Sequence, residues 1–122
     1  MDKIRLDELQ LKIMHVLWQE REASVAEIKD ALTNKGNPAI TTVSTVLSRL
    51  QKKGIVSYRK QGKQYIYKAD VPENKVKHSM VSMLVERLFH GNTTSLMNFL
   101  VAETDLDTEE IRELRKKVDR ST

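Results

Sequence analysis

The 122-residue sequence contains no cysteine, only two prolines and four glycines, and few aromatic residues. Without cysteine the chain cannot form disulfides, thiolate metal sites or cysteine-based redox switches, which is typical of a cytoplasmic protein. Its apolar runs are too short for a membrane-spanning helix, and its first residues lack the apolar core of a signal peptide. We therefore expect a cytoplasmic protein without membrane insertion.

Acidic residues are absent from residues 41–68, although they are frequent on both sides of this segment. The segment carries seven basic residues, whereas the formal net charge of the whole chain is only +4. Positive charge concentrated in one segment indicates a nucleic-acid backbone as partner. The seven are Arg49, Lys52, Lys53, Arg59, Lys60, Lys63 and Lys68.

The sequence also lacks the patterns that catalysis and metal binding require. It shows no nucleophile with a base and an orienting group, no paired carboxylates and no glycine-rich phosphate loop. The three histidines, His15, His78 and His90, are scattered rather than clustered as metal ligands are. We expect no enzymatic activity, no metal and no cofactor.

Local signals predict three helices in the first half of the chain. Asp7 with Gln10 and Ser24 with Glu27 have the spacing of capping boxes. A third helix is predicted over 40–53, since a glycine follows it where a left-handed cap is expected. Helical periodicity predicts buried stripes on the second and third helices: Ile28, Ala31 and Leu32, then Val43, Val46, Leu47 and Leu50.

Two β-like stretches follow, at residues 55–59 and 64–68. They flank a predicted four-residue turn, Lys60-Gln61-Gly62-Lys63. Three helices followed by a hairpin is the order of a winged helix-turn-helix. The tyrosines of the hairpin, Tyr58, Tyr65 and Tyr67, are interpreted as packing residues, so we favour double-stranded DNA over RNA.

Val71-Pro72 is the predicted domain boundary, because proline stops a strand. It separates a winged-helix domain at 1–71 from a helical domain at 72–122. The second domain is predicted to contain a long helix ending near His90, a short one over 94–102, and a last helix capped at Leu106-Asp107. The predicted fold class is mainly α with a small β-hairpin.

In a winged helix the third helix enters the major groove. Its face opposite the apolar stripe is polar and basic, and the hairpin tip adds lysines suited to phosphate contacts. The predicted DNA-binding residues are Thr41, Thr42, Ser44, Thr45, Ser48, Arg49, Lys52, Lys53, Lys60 and Lys63. The alternative is a winged-helix interaction module whose basic strip binds an acidic protein.

Three runs of residues resemble the penicillinase-repressor family of bacterial winged-helix transcriptional regulators, the BlaI/MecI/CopY type. They are Leu6-Asp7-x-x-Gln10-x-x-Ile13-Met14-x-Val16-Leu17-Trp18, then Thr42-Val43-Ser44-Thr45-Val46-Leu47-Ser48-Arg49-Leu50-x-Lys52-Lys53-Gly54, and Gly62-Lys63-x-Tyr65-x-Tyr67. The resemblance covers nearly the whole chain.

The resemblance implies a homodimer that represses an operator with dyad symmetry and dimerises through its C-terminal helices. Short apolar helices that cannot bury much alone support that role; the predicted dimerisation residues are Met80, Met83, Leu84, Leu88, Phe99 and Leu100. In the β-lactam-responsive branch a membrane sensor-protease releases the repressor, and Asn98-Phe99 looks like that cleavage position. The copper-responsive branch uses cysteines, which this chain lacks.

Overall fold

The computed structural model describes residues 3–33 and 36–103, and beyond them only residues 109, 110, 112, 113 and 116. This part of the chain is mainly helical with a small antiparallel sheet, which confirms the predicted fold class. The predicted cap at Leu106-Asp107 lies outside the described residues. In chain order the elements are α1 (Glu8–Glu20), β1 (Glu22–Ser24), α2 (Val25–Ala31), α3 (Ile40–Lys52), β2 (Val56–Gln61), β3 (Gln64–Ala69), α4 (Glu73–Phe89) and α5 (Thr93–Glu103).

Both predicted capping boxes are present. The Asp7 carboxylate accepts from the Gln10 amide at 2.8 Å, and the Gln10 side-chain oxygen accepts from the Asp7 amide at 3.0 Å. Ser24 and Glu27 exchange the same pair of hydrogen bonds, at 3.2 and 2.9 Å. These bonds satisfy amides that a helix start leaves without partners. They fix where α1 and α2 begin.

The apolar stripes are confirmed with two exceptions. In α2 only Ile28 is buried, followed by Leu32 just after the helix, while Ala31 is exposed. The predicted burial of Ala31 is wrong because a helix of seven residues buries only one narrow side. In α3 the side chain of Val46 is only half-buried, so it lies at the edge of the stripe rather than in the core. The helix ends at Lys52, and Gly54 has a positive φ of 77°.

The sheet has three strands in the order β1-β3-β2, all antiparallel. The strand β1 was not predicted from the sequence, which indicated only the two strands of the hairpin. It pairs three residues, Glu22, Ala23 and Ser24, with Lys68, Tyr67 and Ile66 of β3. A strand this short carries no periodic signal, and its partner lies more than 40 residues away along the chain.

The predicted four-residue turn between β2 and β3 is also wrong. Lys60 and Gln61 belong to β2, where they pair with Tyr65 and Gln64. Only Gly62 and Lys63 remain as the loop, and Gly62 has a φ of 62°. A glycine with positive φ at the first of two loop positions is typical of a type II′ hairpin turn.

The described chain divides into two compact units, Met1–Ser79 and Met80–Thr122, and α4 begins in the first. Two hydrogen bonds and one buried side chain connect the start of α4, and Val71 just before it, to the rest of the first unit. The Trp18 indole donates to the Val71 carbonyl at 2.8 Å, the Ile4 amide donates to the Ser79 hydroxyl at 2.7 Å, and Val76 is buried. The functional division at 71/72 remains a prediction.

Candidate nucleic-acid interface

The candidate interface begins with α3, which has one buried and one exposed face. Val43, Leu47 and Leu50 are fully buried in the core of the first unit. The eight predicted DNA-binding residues of this helix and its end are all exposed: Thr41, Thr42, Ser44, Thr45, Ser48, Arg49, Lys52 and Lys53. The buried stripe therefore fixes which side chains α3 presents to a partner.

One hydrogen bond shapes the middle of this exposed face. The Thr45 hydroxyl donates to the Thr41 carbonyl, one turn earlier in α3, at 2.9 Å. Such a bond holds a threonine side chain against the backbone of its own helix. Around it, Thr41, Thr42, Thr45, Val46 and Arg49 line a shallow hollow on the surface of the first unit. The exposed face of α3 therefore contains a shallow depression in addition to its positive charge.

The hairpin places its two predicted phosphate contacts differently. Lys63 occupies the turn itself, whereas Lys60 lies in β2 opposite Tyr65. Both side chains are exposed. Lys60 and Lys63 therefore belong to one hairpin end, but only Lys63 lies in the loop.

Arg59 has an acidic partner, although residues 41–68 contain no acidic residue. Its guanidinium donates to both carboxylate oxygens of Glu22 on β1, at 3.1 and 3.3 Å, and to the Gln61 side-chain oxygen at 2.6 Å. The hydrogen bond and positive charge of Arg59 lower the pKa of Glu22, and the charge of Lys68 adds to this effect. Lys68 is opposite Glu22 in the sheet register.

An acidic residue thus lies beside the basic segment in space, although none lies within it in sequence. Among the described residues, the remaining five cations of the segment have no acidic partner: Arg49, Lys52, Lys53, Lys60 and Lys63. These five are the cations left available for phosphates. Sequence reasoning missed Glu22 because only the pairing of β1 with β3 brings it here.

The hairpin tyrosines are explained only in part by packing. Tyr67 is buried, and burial raises the pKa of its hydroxyl. Tyr58 and Tyr65 remain 48% and 44% exposed, with ring centroids 4.9 Å apart in an edge-to-face arrangement. Such pairs stabilise one another, so two rings form a small exposed aromatic cluster beside Lys60.

Neither a metal site nor a membrane span is found in the described part of the chain. No group of three or more histidine or acidic side chains there lies close enough together to hold a metal ion. No described helix is long and apolar enough to cross a membrane.

The second unit exposes several large apolar side chains. Leu88 is 68% exposed and Phe99 51% exposed, and Leu84 is exposed as well. Met83 is buried within the chain, while Met80 and Leu100 are half-buried. A groove of about 520 Å³ runs between α4 and α5, lined by Leu84, Leu88, Phe89, Leu96, Phe99 and Leu100.

The candidate cleavage position lies on this apolar unit. Asn98 and Phe99 are both exposed, and both lie inside α5. The Phe99 ring contacts the Phe89 ring with centroids 5.8 Å apart. A peptide bond inside a helix becomes accessible to a protease through local unfolding, so cutting here requires α5 to open.

Comparison with known proteins finds similar sequences over most of the chain. The family model described as penicillinase repressor matches residues 6–120. The methicillin resistance regulatory protein MecI of Staphylococcus aureus (strain N315) is 28% identical over 104 residues, covering 85% of each chain. The penicillinase repressor of Bacillus licheniformis is 26% identical over 110 residues, covering 90% of this chain and 86% of the relative.

A solved structure has a similar fold. The DNA-binding domain of the repressor BlaI superimposes with a TM-score of 0.54 at 24% identity, over 61% of this chain and 90% of that domain. At this identity the likeness shows the winged-helix fold alone. The family match over residues 6–120, nearly the whole chain, shows that this chain belongs to the penicillinase repressor family.

Proposed function

We propose that this protein is a cytoplasmic, dimeric transcriptional repressor that binds a double-stranded DNA operator with dyad symmetry. In this proposal α3 lies in the major groove and the β2-β3 hairpin contacts phosphates. The observation that carries the proposal is the exposed polar face of α3, with its fixed buried stripe and its unpaired cations. Family membership supports a repressor rather than an enzyme.

The phosphate role of the hairpin is tested by the salt dependence of binding. Lys60→Ala combined with Lys63→Ala should weaken binding about equally on operator and random duplexes. The slope of log K against log salt should fall by about 1 to 2 units, near one for each phosphate contact that the substitutions remove. Fluorescence anisotropy titrations at several salt concentrations measure both quantities.

Lys77→Ala is the matched control, since Lys77 pairs with Glu73 on α4 at 3.7 Å. It removes a positive charge from α4 and alters no residue of α3 or the hairpin, so it should leave the slope unchanged. An unchanged slope for the double variant would remove the hairpin from the interface.

The dimer contact is assigned to the apolar groove of the second unit. Exposed apolar side chains grouped in one place favour association with a partner surface. A second copy offers the same groove, as two-fold interfaces require. Leu88→Ala should therefore shift the protein toward monomer in sedimentation equilibrium.

Val101→Ala is the comparison variant, because Val101 is an exposed apolar residue of α5 outside the groove lining. It should leave the association constant unchanged. Equal association of both variants and the parent protein would assign the dimer contact to another surface.

We also propose that cleavage between Asn98 and Phe99 releases the repressor from DNA. The supporting observation is that Phe99 lines the groove, so a cut at this bond divides the proposed dimer surface. The proposed agent is a membrane sensor-protease. Co-expression with such a protease should yield fragments of residues 1–98 and 99–122 by intact mass spectrometry, and cleavage at another bond would refute this assignment.

A further inference from the structure

The hollow on α3 has a mixed chemical character that charge alone does not explain. Three threonines and the half-buried Val46 line it, with Arg49 as its one charged residue. Phosphate contacts need only cations and hydrogen-bond donors. A hollow with this much aliphatic surface is suited to an apolar group.

The hydrogen bond of Thr45 decides what that side chain offers. Because its hydroxyl proton is donated to the Thr41 carbonyl at 2.9 Å, the proton is not available to acceptors on a base. Guanine N7 and O6, and thymine O4, are acceptors in the major groove. The side chain therefore presents its methyl group and the remaining lone pairs of its hydroxyl.

The major groove offers one apolar group to match such a surface, the C5-methyl group of thymine. Threonine methyl groups are among the side-chain groups that contact it. Val46 supplies a second aliphatic group in the hollow. Arg49 adds a cation beside it that complements the surrounding phosphates or a neighbouring guanine.

We infer that this hollow is a thymine-reading site, in which Thr45 and Val46 contact the C5-methyl group of one thymine in each operator half-site. This inference rests on the proposed function, since it requires α3 to lie in the major groove. It assigns Thr45 to recognition of a methyl group rather than to hydrogen bonding with a base edge. It predicts that affinity depends on the methyl group of that thymine, which a hydrogen-bonding role of Thr45 would not produce.

The first test uses DNA duplexes obtained by selection from a random-sequence pool with the full chain. In the selected site, each thymine is replaced in turn by uracil, which removes only the methyl group. One thymine per half-site should show a loss of about three- to fivefold in affinity, as expected for one buried methyl group. Replacing the same thymine's pair with a 5-methylcytosine–guanine pair should retain more affinity than unmethylated cytosine–guanine.

Two variants at the same position connect that effect to Thr45. Thr45→Ser keeps the hydroxyl and removes the methyl group, so it should abolish most of the difference between thymine and uracil at the sensitive position. Thr45→Val keeps a methyl group and removes the hydroxyl, so it should preserve the difference. The Thr45 side chain is exposed, and circular dichroism checks that each variant keeps its fold.

The outcomes separate this inference from the proposed function. A selected site that tolerates uracil at every position overturns the thymine-reading site and leaves the repressor proposal standing. The same holds if Thr45→Val abolishes the difference and Thr45→Ser keeps it, since that result assigns recognition to the hydroxyl. A pool from which no preferred duplex emerges overturns sequence-specific binding and, with it, this inference.

Discussion

The two units of this chain differ in how completely they bury their apolar side chains. In the first unit, side chains from four of its elements are completely or almost completely buried: Ile13, Met14 and Leu17 of α1, Ile28 of α2, Val43, Leu47 and Leu50 of α3, and Val56 of β2. In the second unit, α5 buries none of its eleven residues, all of which are described. The first unit exposes the unpaired cations of α3, its end and the hairpin, whereas the second exposes a cluster of leucine and phenylalanine side chains that includes Leu84, Leu88 and Phe99.

This contrast shows which properties each unit carries by itself. A well-packed core holds α3 rigidly and so keeps its exposed face in one arrangement, as a recognition surface requires. An exposed apolar surface is stabilised when a partner covers it. We therefore expect the first unit to bind DNA weakly alone and the second to raise that affinity by joining two copies.

Deleting residues 99–122 should give the largest effect. The deletion removes part of the groove and leaves the first unit intact, so the product should be a monomer with a folded winged helix. Because a dimer makes its second half-site contact effectively intramolecular, operator affinity should fall by about 10²- to 10⁴-fold. Sedimentation velocity and operator titration of the truncated chain measure the two effects.

Binding to a single half-site provides the control for this deletion. Affinity for an isolated half-site should remain close to that of the full chain, since no α3 or hairpin residue is altered. A truncated protein that stays dimeric and binds the operator at full strength would contradict the assignment of the groove.

Leu47→Ala and Leu88→Ala should differ in their effect on the free energy of unfolding, because only Leu47 is buried. Leu47 is fully buried in the first unit, so its truncation should lower the free energy of unfolding by about 2–5 kcal/mol. Leu88 is 68% exposed, so the same substitution removes little contact within the chain. Urea titrations at low protein concentration, where the monomer dominates, should show this difference, and equal decreases in stability would contradict it.

Features set by neighbours in sequence could be predicted, and features set by distant pairing could not. The capping boxes at Asp7 and Ser24 and the positive φ of Gly54 each depend on a few adjacent residues. The strand β1 depends on β3, about 40 residues later, and the same pairing brings Glu22 to Arg59. Contacts of that kind leave no local pattern in the sequence.

The candidate site divides in the same way. Helical periodicity around Leu47 was sufficient to assign the exposed face of α3, since a buried stripe determines its opposite face. It could not reveal the hydrogen bond of Thr45 or the hollow beside it, which depend on side-chain rotamers. Nor could alternation along the hairpin show that Tyr58 stays exposed while Tyr67 is buried, because both lie on the same face of the sheet.

The acid stability of the first unit should carry a small contribution from Glu22. Its pKa is lowered below the ordinary 4.5 by Arg59, so the carboxylate stabilises the folded state above that value. The contribution disappears as the pH falls through the lowered pKa of the folded state. Glu22→Gln should therefore make the unfolding midpoint less dependent on pH below about 4.5, as thermal melts at several acidic pH values would show.

The smallest effect we predict concerns the same pair and DNA. Glu22→Gln removes the carboxylate that Arg59 binds at 3.1 Å, so the guanidinium keeps its hydrogen bond to Gln61 but loses its ion-pair partner and can bind a phosphate. The slope of log K against log salt on random duplexes should then steepen by at most about one unit.

In the parent protein, Arg59→Ala should leave the slope nearly unchanged, whereas Lys63→Ala should reduce it by about one unit. A reduced slope for Arg59→Ala, with no change for Glu22→Gln, would show that Arg59 contacts DNA despite its partner. The available cations would then be six rather than five, and the charge of the segment in sequence would be the better guide to its DNA contacts.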